Sequence, residues 1–260
     1  MTIDTHFHTG LQKYGPIEDH LALMAENSIS NSVLVQHLGE FDNSYLFEVA
    51  NRYPGQFAVI AALESTATQE DFDSLIAEPW FRGIRLAAGY RSPGPDPVRI
   101  WRMLDDAQSM ASVTGDFASY VSEDFSELVE AFPGINFRIE HVGSVQFAHQ
   151  SLNDPDVKRF LQLAQHDNTC LLWAGFWKNS EMVSRMRNTH KLLEQTYLTF
   201  GPNRIMWSGD GTRPNMQPGD YSNDLDFIMN KLPFLSDADR VQILERTARE
   251  LFTFGPEHGK

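Results

Sequence analysis

The sequence predicts an α/β protein, a single (β/α)8 TIM barrel spanning residues 1–260, and three observations carry that prediction. Eight short apolar runs are spaced along the chain, segments of helical period lie between them, and strand starts recur every 24 to 35 residues. That spacing is what a strand, a crossover helix and two short loops require. Eight such units fill 260 residues, and a closed eight-unit parallel barrel typically takes about 250. An open doubly wound sheet is the alternative, since periodicity alone does not show closure.

The predicted strands cover residues 3–7, 33–37, 57–63, 83–87, 111–115, 135–140, 170–174 and 204–207, each a short apolar run. The predicted helices cover 18–26, 44–52, 71–77, 98–108, 125–131, 157–165, 182–197 and 224–231. Two helix starts carry a hydroxyl with an acid three residues on, Thr68 with Asp71 and Ser236 with Asp239, the pattern of a capping box. Tyr53-Pro54-Gly55 and Phe132-Pro133-Gly134 stop two helices ahead of a strand. Residues 89–97, with three prolines and two glycines, form a long loop after the fourth strand, and residues 209–219 form another after the eighth. No linker, repeat or low-complexity tract divides the chain.

Composition narrows the partners. The net charge is −14, from 21 basic and 35 acidic side chains, which argues against a nucleic-acid backbone or an anionic membrane as partner. No window approaches the roughly 18 uninterrupted apolar residues of a membrane span, and residues 1–4 do not begin a secretory leader, so a cytoplasmic location is expected. The single cysteine, Cys170, permits neither an intrachain disulfide nor a cysteine zinc cluster. Nine histidines and the carboxylates are left to carry chemistry.

In a parallel barrel the active site lies at the carboxyl ends of the strands, so titratable groups closing a strand are the candidates. His6 and His8 close the first strand, and alternation puts both rings on one face, suited to a shared metal or a shared substrate oxygen. Glu140-His141 close the sixth strand and Asp210 follows the eighth. An aspartate after a strand is often only a turn former. Agreement between three strands is what lifts Asp210 above that reading. His37 reads as a rim histidine bonded to backbone, Trp173, Phe176 and Trp177 as a possible apolar wall, and the remaining histidines, His20 among them, as solvated.

The runs Ile3-Asp4-Thr5-His6-Phe7-His8, Phe81-Arg82-Gly83-Ile84-Arg85-Leu86, Glu140-His141-Val142-Gly143 and Arg204-Ile205-Met206-Trp207-Ser208-Gly209-Asp210 resemble the amidohydrolase superfamily. The amidohydrolase-2 type, with its pyrone dicarboxylate lactonase and fuconolactonase branch, is the nearest resemblance. It implies a TIM barrel with His6, His8, His141 and Asp210 at the active-site positions. It also implies a carboxylate clamp from Arg85 and Arg91; Lys178, just past the seventh strand, and Arg213, in the last loop, are placed to complete a basic patch for a small anionic substrate. An arginine grips a carboxylate with two parallel hydrogen bonds, which fixes orientation as well as charge.

Two departures from that resemblance matter, the first for metal and the second for substrate contacts. Metal-binding members carry a histidine at the end of the fifth strand, where Asp116 stands here. A serine-aspartate-tryptophan-proline-histidine ending has become Gly209-Asp210-Gly211-Thr212-Arg213-Pro214. With the fifth-strand histidine absent, no metal is favoured. If one divalent ion is held, zinc or manganese, its ligands would be His6, His8 and Asp210, with Asp116 as a substitute. The expected reaction is hydrolytic opening of a small carboxylated lactone, with Asp210 activating water. The alternative is a metal-dependent decarboxylase or hydratase of an aromatic-derived acid, and a catalytically silent binding barrel is the third reading.

Overall fold

The computed structural model describes residues 1–145, 151–174, 183–211 and 216–255, with backbone alone for 183–188. Eight parallel strands run in the order β1 to β8: Thr2–Phe7, Ile29–Val35, Phe57–Ala61, Phe81–Ala87, Met110–Thr114, Asn136–Ile139, Thr169–Trp173 and Ile205–Trp207. Helices alternate with them: α1 Ile17–Glu26, α2 Ser44–Arg52, α3 Gln69–Ile76, α4 Arg99–Asp106, a short α5 Phe117–Tyr120, α6 Glu123–Ala131, α7 Pro155–Gln162, α8 Val183–Phe200 and α9 Asp220–Asn230. The chain ends in α10 Asp237–Val241, a π turn Gln242–Arg246 and α11 Thr247–Leu251. The predicted (β/α)8 barrel is the observed fold. Both capping boxes form, at Thr68 with Asp71 and at Ser236 with Asp239.

Three elements differ from the reading of the sequence: the short α5, which no predicted helix covers, β2 and the carboxyl-terminal helix. β2 starts at Ile29, four residues ahead of its apolar run, because Asn31 and Ser32 are buried polar residues with partners. Asn31 Nδ2 donates to Gly55 O at 2.8 Å, and Ser32 Oγ pairs with His20 Nε2 at 3.0 Å. That second bond also corrects the expected solvated His20, which is fully buried and stacked on Phe7. The carboxyl-terminal helix was signalled only by its cap at Ser236.

Along each strand one side faces the helices and the other the barrel axis, as the two-residue period requires. The outer set, including Phe7, Leu34, Val59, Ile84, Phe137 and Trp207, joins one large core beneath the helices. The inner set, with Ile3, Val33, Val35, Ala58, Ile60, Met110, Cys170 and Met206, forms a second core closed by Ala248 and Phe252 of the carboxyl-terminal segment. Above it the axis turns polar. Arg85 pairs with Ser112, Ser112 with Arg138 and Arg138 with Cys170 in one row across β4 to β7.

Two features aim the site. The β1–β2 register slips between Asp4↔Ser32 and Phe7↔Leu34, so three steps on β1 match two on β2. Such a bulge re-aims side chains. The other is the β8–β1 seam, bridged by hydroxyls: Thr5 Oγ1 donates to Trp207 O at 2.9 Å and Ser208 Oγ donates to His6 O at 2.7 Å.

Candidate active site

His6, His8, His141 and Asp210 meet at the carboxyl-terminal mouth of the barrel. His6 is fully buried, and its Nε2 lies 3.2 Å from His8 Nε2. The His6 and His141 rings stand edge to face with centroids 5.2 Å apart. One donor atom from each of His6, His141 and Asp210 lies within 4.8 Å of the others. His141 reaches the mouth on a left-handed turn, with φ of 50° at His141, 52° at Val142 and 64° at Gly143. A β-branched residue is rare there, and such backbone persists where surrounding structure imposes it. Gly143 is required, because a Cβ at that position would overlap the Phe160 ring.

Asp210 also has positive φ, 48°, and its N–H donates to Ser208 Oγ at 2.9 Å. Ser208 thereby joins both halves of the site, accepting from Asp210 and donating to His6 O. At Gly209 a Cβ would collide with the Tyr221 ring. Below the turn, Tyr221 donates its hydroxyl to Asp4 Oδ2 at 2.7 Å, and burial pushes the Asp4 carboxyl up to about 6.

The arginines depart from the expected clamp. Arg85 is nearly buried and spends its fork inside the protein: Nε donates to Glu140 Oε1 at 3.0 Å and Nη2 to Glu140 Oε2 at 2.7 Å. Its Nη1 donates to Gln36 O at 3.3 Å. Burial favours the protonated form of Glu140, but the Arg85 charge and its two hydrogen bonds overcome this and hold the carboxyl well below the usual range. Arg91 is exposed and donates to Tyr90 O. The two arginines are thus held by different partners. Lys178 and Arg213 fall outside the described residues, as do Phe176 and Trp177.

Asp116, the candidate substitute ligand, is engaged as a cap. It is exposed and caps α5, its Oδ1 accepting from Ser119 N at 2.8 Å and Ser119 Oγ at 2.5 Å. A strand-end aspartate acting as a helix cap is the ordinary outcome. Trp173 faces outward, where its Nε1 donates to Thr196 Oγ1 at 3.2 Å, so it does not wall the mouth. His37 stands at the rim with Lys13 Nζ donating to its Nε2 at 2.5 Å, in place of the expected backbone partner. Cys170 is buried, which pushes its thiol up to about 12 and leaves it inert.

Three residues escaped the reading of the sequence: Tyr14, Arg138 and Ser112. Tyr14, on the β1–α1 loop, lies over His8 with ring centroids 4.8 Å apart. Arg138, fully buried, donates from Nη2 to His6 Nδ1 at 3.0 Å and to Ser112 Oγ at 2.7 Å. Its Nε also donates to Ser112 Oγ, at 3.2 Å, and its Nη1 donates to Thr5 O. Ser112 Oγ in turn donates a hydrogen bond to Glu140 Oε1 at 2.6 Å. The signal for Arg138 and Glu140 was present: charges at alternate positions of a strand whose other face is Phe137 and Ile139. Tyr14, in a loop, left no periodic trace.

The amidohydrolase family model matches residues 3–254. The chain belongs to the amidohydrolase family. An L-fucono-1,5-lactonase of Burkholderia ambifaria is 24% identical over 210 residues, covering 76% of this chain and 69% of the relative. Among solved structures, a probable 2-pyrone-4,6-dicarboxylic acid hydrolase of Acinetobacter baumannii, with citric acid bound, superposes with a TM-score of 0.80 at 18% identity, covering 96% of this chain and 98% of that one. An amidohydrolase of Burkholderia multivorans with bound zinc gives 0.78 at 18%, covering 98% and 99%. A 2,6-dihydroxybenzoate decarboxylase from Rhizobium gives 0.70 at 15%, covering 96% and 98%. At these identities the structural likenesses speak for the fold. No described helix is long and apolar enough to cross a membrane.

A zinc-bound family member makes metal a question for this site. The spacing of His6, His141 and Asp210 suits a divalent ion. The protonation of His6 does not. A guanidinium only donates, so with Arg138 on Nδ1 the neutral His6 ring carries its proton on Nε2, the atom a metal would need bare.

Proposed function

We propose that this amidohydrolase opens a small carboxylated lactone by water attack, without a metal. The observation that carries the reading is the convergence of a buried carboxylate, Asp210, with three imidazoles at the barrel mouth. The lactonase relative supports the substrate class. Asp210 takes a proton from water as the water oxygen attacks the lactone carbonyl carbon. The carbonyl oxygen, now anionic, takes the His6 Nε2–H that His8 Nε2 accepts in the resting site, with His141 beside it. Collapse of the tetrahedral species breaks the ring C–O bond, and the proton held by Asp210 passes to the leaving alkoxide, giving a hydroxy acid. General base catalysis of this kind contributes about 10²- to 10⁴-fold, and one donor on the oxyanion about 3 kcal/mol.

The roles of the two β1 histidines separate. His8 Nδ1 lies 2.6 Å from Val35 O. A carbonyl can only accept, so His8 carries its proton on Nδ1 and offers a lone pair at Nε2. Burial lowers its pKa from 6.5 to about 3, keeping the ring neutral. His8 accordingly accepts, from His6 or from the attacking water, and does not polarise the carbonyl as expected. The substrate carboxylate is left to exposed cations of the described residues, Lys13 and Arg91.

Hydrolysis of L-fucono-1,5-lactone and of 2-pyrone-4,6-dicarboxylate, followed by acid release in weakly buffered dye, tests the reading. Turnover of either ring by the wild type that is lost in Asp210→Asn is the expected outcome. Carbon dioxide release from a hydroxybenzoate with no lactone turnover would move the chain to the decarboxylase alternative.

A further inference from the structure

A fully buried arginine inside a barrel is uncommon, because an ion taken out of water needs partners for its charge and for every N–H. Each of the three Arg138 nitrogens has a hydrogen-bond partner, and their arrangement is asymmetric with respect to charge. Its nearest carboxylate oxygen, Glu140 Oε1, is 4.0 Å away, while its direct hydrogen bonds go to Thr5 O, Ser112 Oγ and His6 Nδ1. Glu140 gives its short contacts to Arg85 and Ser112 instead. Arg138 is therefore directed at His6 rather than paired off against the acid.

That choice fixes a proton. His6 Nδ1 has two charged neighbours, Arg138 Nη2 at 3.0 Å and Glu140 Oε1 at 3.8 Å. Only the first is within hydrogen-bond distance. A carboxylate on Nδ1 would leave Nε2 bare and basic, the arrangement by which histidine ligands are readied for metal. An arginine on Nδ1 does the reverse. His8 is set by Val35 O in the opposite sense, so the 3.2 Å contact between the two Nε2 atoms runs from His6 as donor to His8 as acceptor.

We infer that Arg138 is a positioning residue that locks His6 in the Nε2–H tautomer, making the β1 histidines a donor–acceptor couple and denying His6 Nε2 to a divalent ion. A metal at the mouth would have to displace the His6 proton next to a buried guanidinium. The inference stands whichever ring the enzyme opens, and its test reads no turnover.

Long-range proton–nitrogen spectra of the histidine rings in ¹⁵N-labelled wild type, assigned with His6→Asn and His8→Asn, read the tautomers directly. His6 is expected with Nε2 protonated and Nδ1 bare, and His8 with the reverse. A protonated Nδ1 on His6 overturns the proposal. Calorimetric titration of wild type with zinc is expected to show no stoichiometric binding; one tight equivalent that disappears in His6→Asn also overturns it. Arg138→Met, which keeps length and removes every donor, is expected to tighten zinc by about 10- to 100-fold, the size of second-sphere effects on metal sites. Arg138→Lys, which keeps a donor for Nδ1, should behave as wild type in spectrum and titration. Should the methionine variant not fold, the wild-type spectrum and titration decide alone.

Discussion

Asp210 and Arg85 are two charged residues near the same mouth with opposite duties. Asp210 is 3% exposed and sits on a left-handed residue tied to Ser208, so the backbone helps to aim its carboxylate. Asp210→Asn keeps shape and removes the base. We expect kcat to fall by about 10²- to 10⁴-fold with KM within about threefold of wild type, measured by steady-state hydrolysis of whichever lactone is turned over. Unchanged kcat would remove Asp210 as the base. Arg85 instead neutralises Glu140 in the interior. Arg85→Met leaves that carboxylate buried without its principal partner and should cost about 3–5 kcal/mol, read by urea denaturation. Adding Glu140→Gln to the same chain should restore much of the loss. A single variant as stable as wild type would mean the pair contributes nothing to folding.

At the scale of elements, the site is assembled where β8 meets β1, and among the described residues that seam is held by hydroxyls rather than by a ladder of backbone bonds. Ser208→Ala removes the donor to His6 O and the acceptor of Asp210 N–H together. Each buried hydrogen bond is worth about 1 kcal/mol, so a loss of roughly 2 kcal/mol in stability is expected. A larger proportional loss in kcat should accompany it, since both the base and the donor histidine lose their common anchor. Thermal denaturation and kinetics on one preparation separate the two effects; loss of stability with kcat untouched would reduce Ser208 to a strand fastener. This seam also shows what a sequence can and cannot disclose. The eight units were legible because strand and helix periods are local, and His6, His8, His141 and Asp210 were legible because they close strands. The register slip in β1 and the left-handed turn at His141 were not, since both arise from how neighbouring strands and Phe160 pack. The Arg85–Glu140 pair was illegible for the same reason: the two residues are 55 apart in sequence and two strands apart in the barrel.

The whole molecule carries a consequence of placing neutral imidazoles and one reluctant carboxylate in its interior. His6, His8 and His20 are buried, which lowers all three below 6.5, His8 to about 3. Their folded forms refuse a proton that the unfolded chain accepts, so the stability they contribute is present above pH 6.5 and is lost as pH falls below it. Glu140, depressed in its pairing with Arg85, adds to this loss once pH drops below its ordinary 4.5. Asp4 works the other way. Burial raises it from 3.8 to about 6, so the folded state holds a proton that the unfolded chain has released, and its contribution is full below pH 3.8 and lost as pH rises through 6. Between pH 5 and 6 the three histidines outweigh Asp4, leaving unfolding to take up about two protons. Each proton corresponds to about 1.4 kcal/mol per pH unit. Against a total stability of about 5–15 kcal/mol, that slope should bring unfolding on within a few units below neutrality. The urea midpoint is expected to fall steadily from pH 7 to pH 5, and Tyr221→Phe, which removes the hydroxyl bonded to Asp4 Oδ2, should change the midpoint more at pH 7, where Asp4 is ionised, than at pH 4. A midpoint flat from pH 7 to pH 5 would mean that the buried imidazoles take up protons in the folded state, and the neutral His6 and His8 on which the lactone-opening site depends would have to be abandoned.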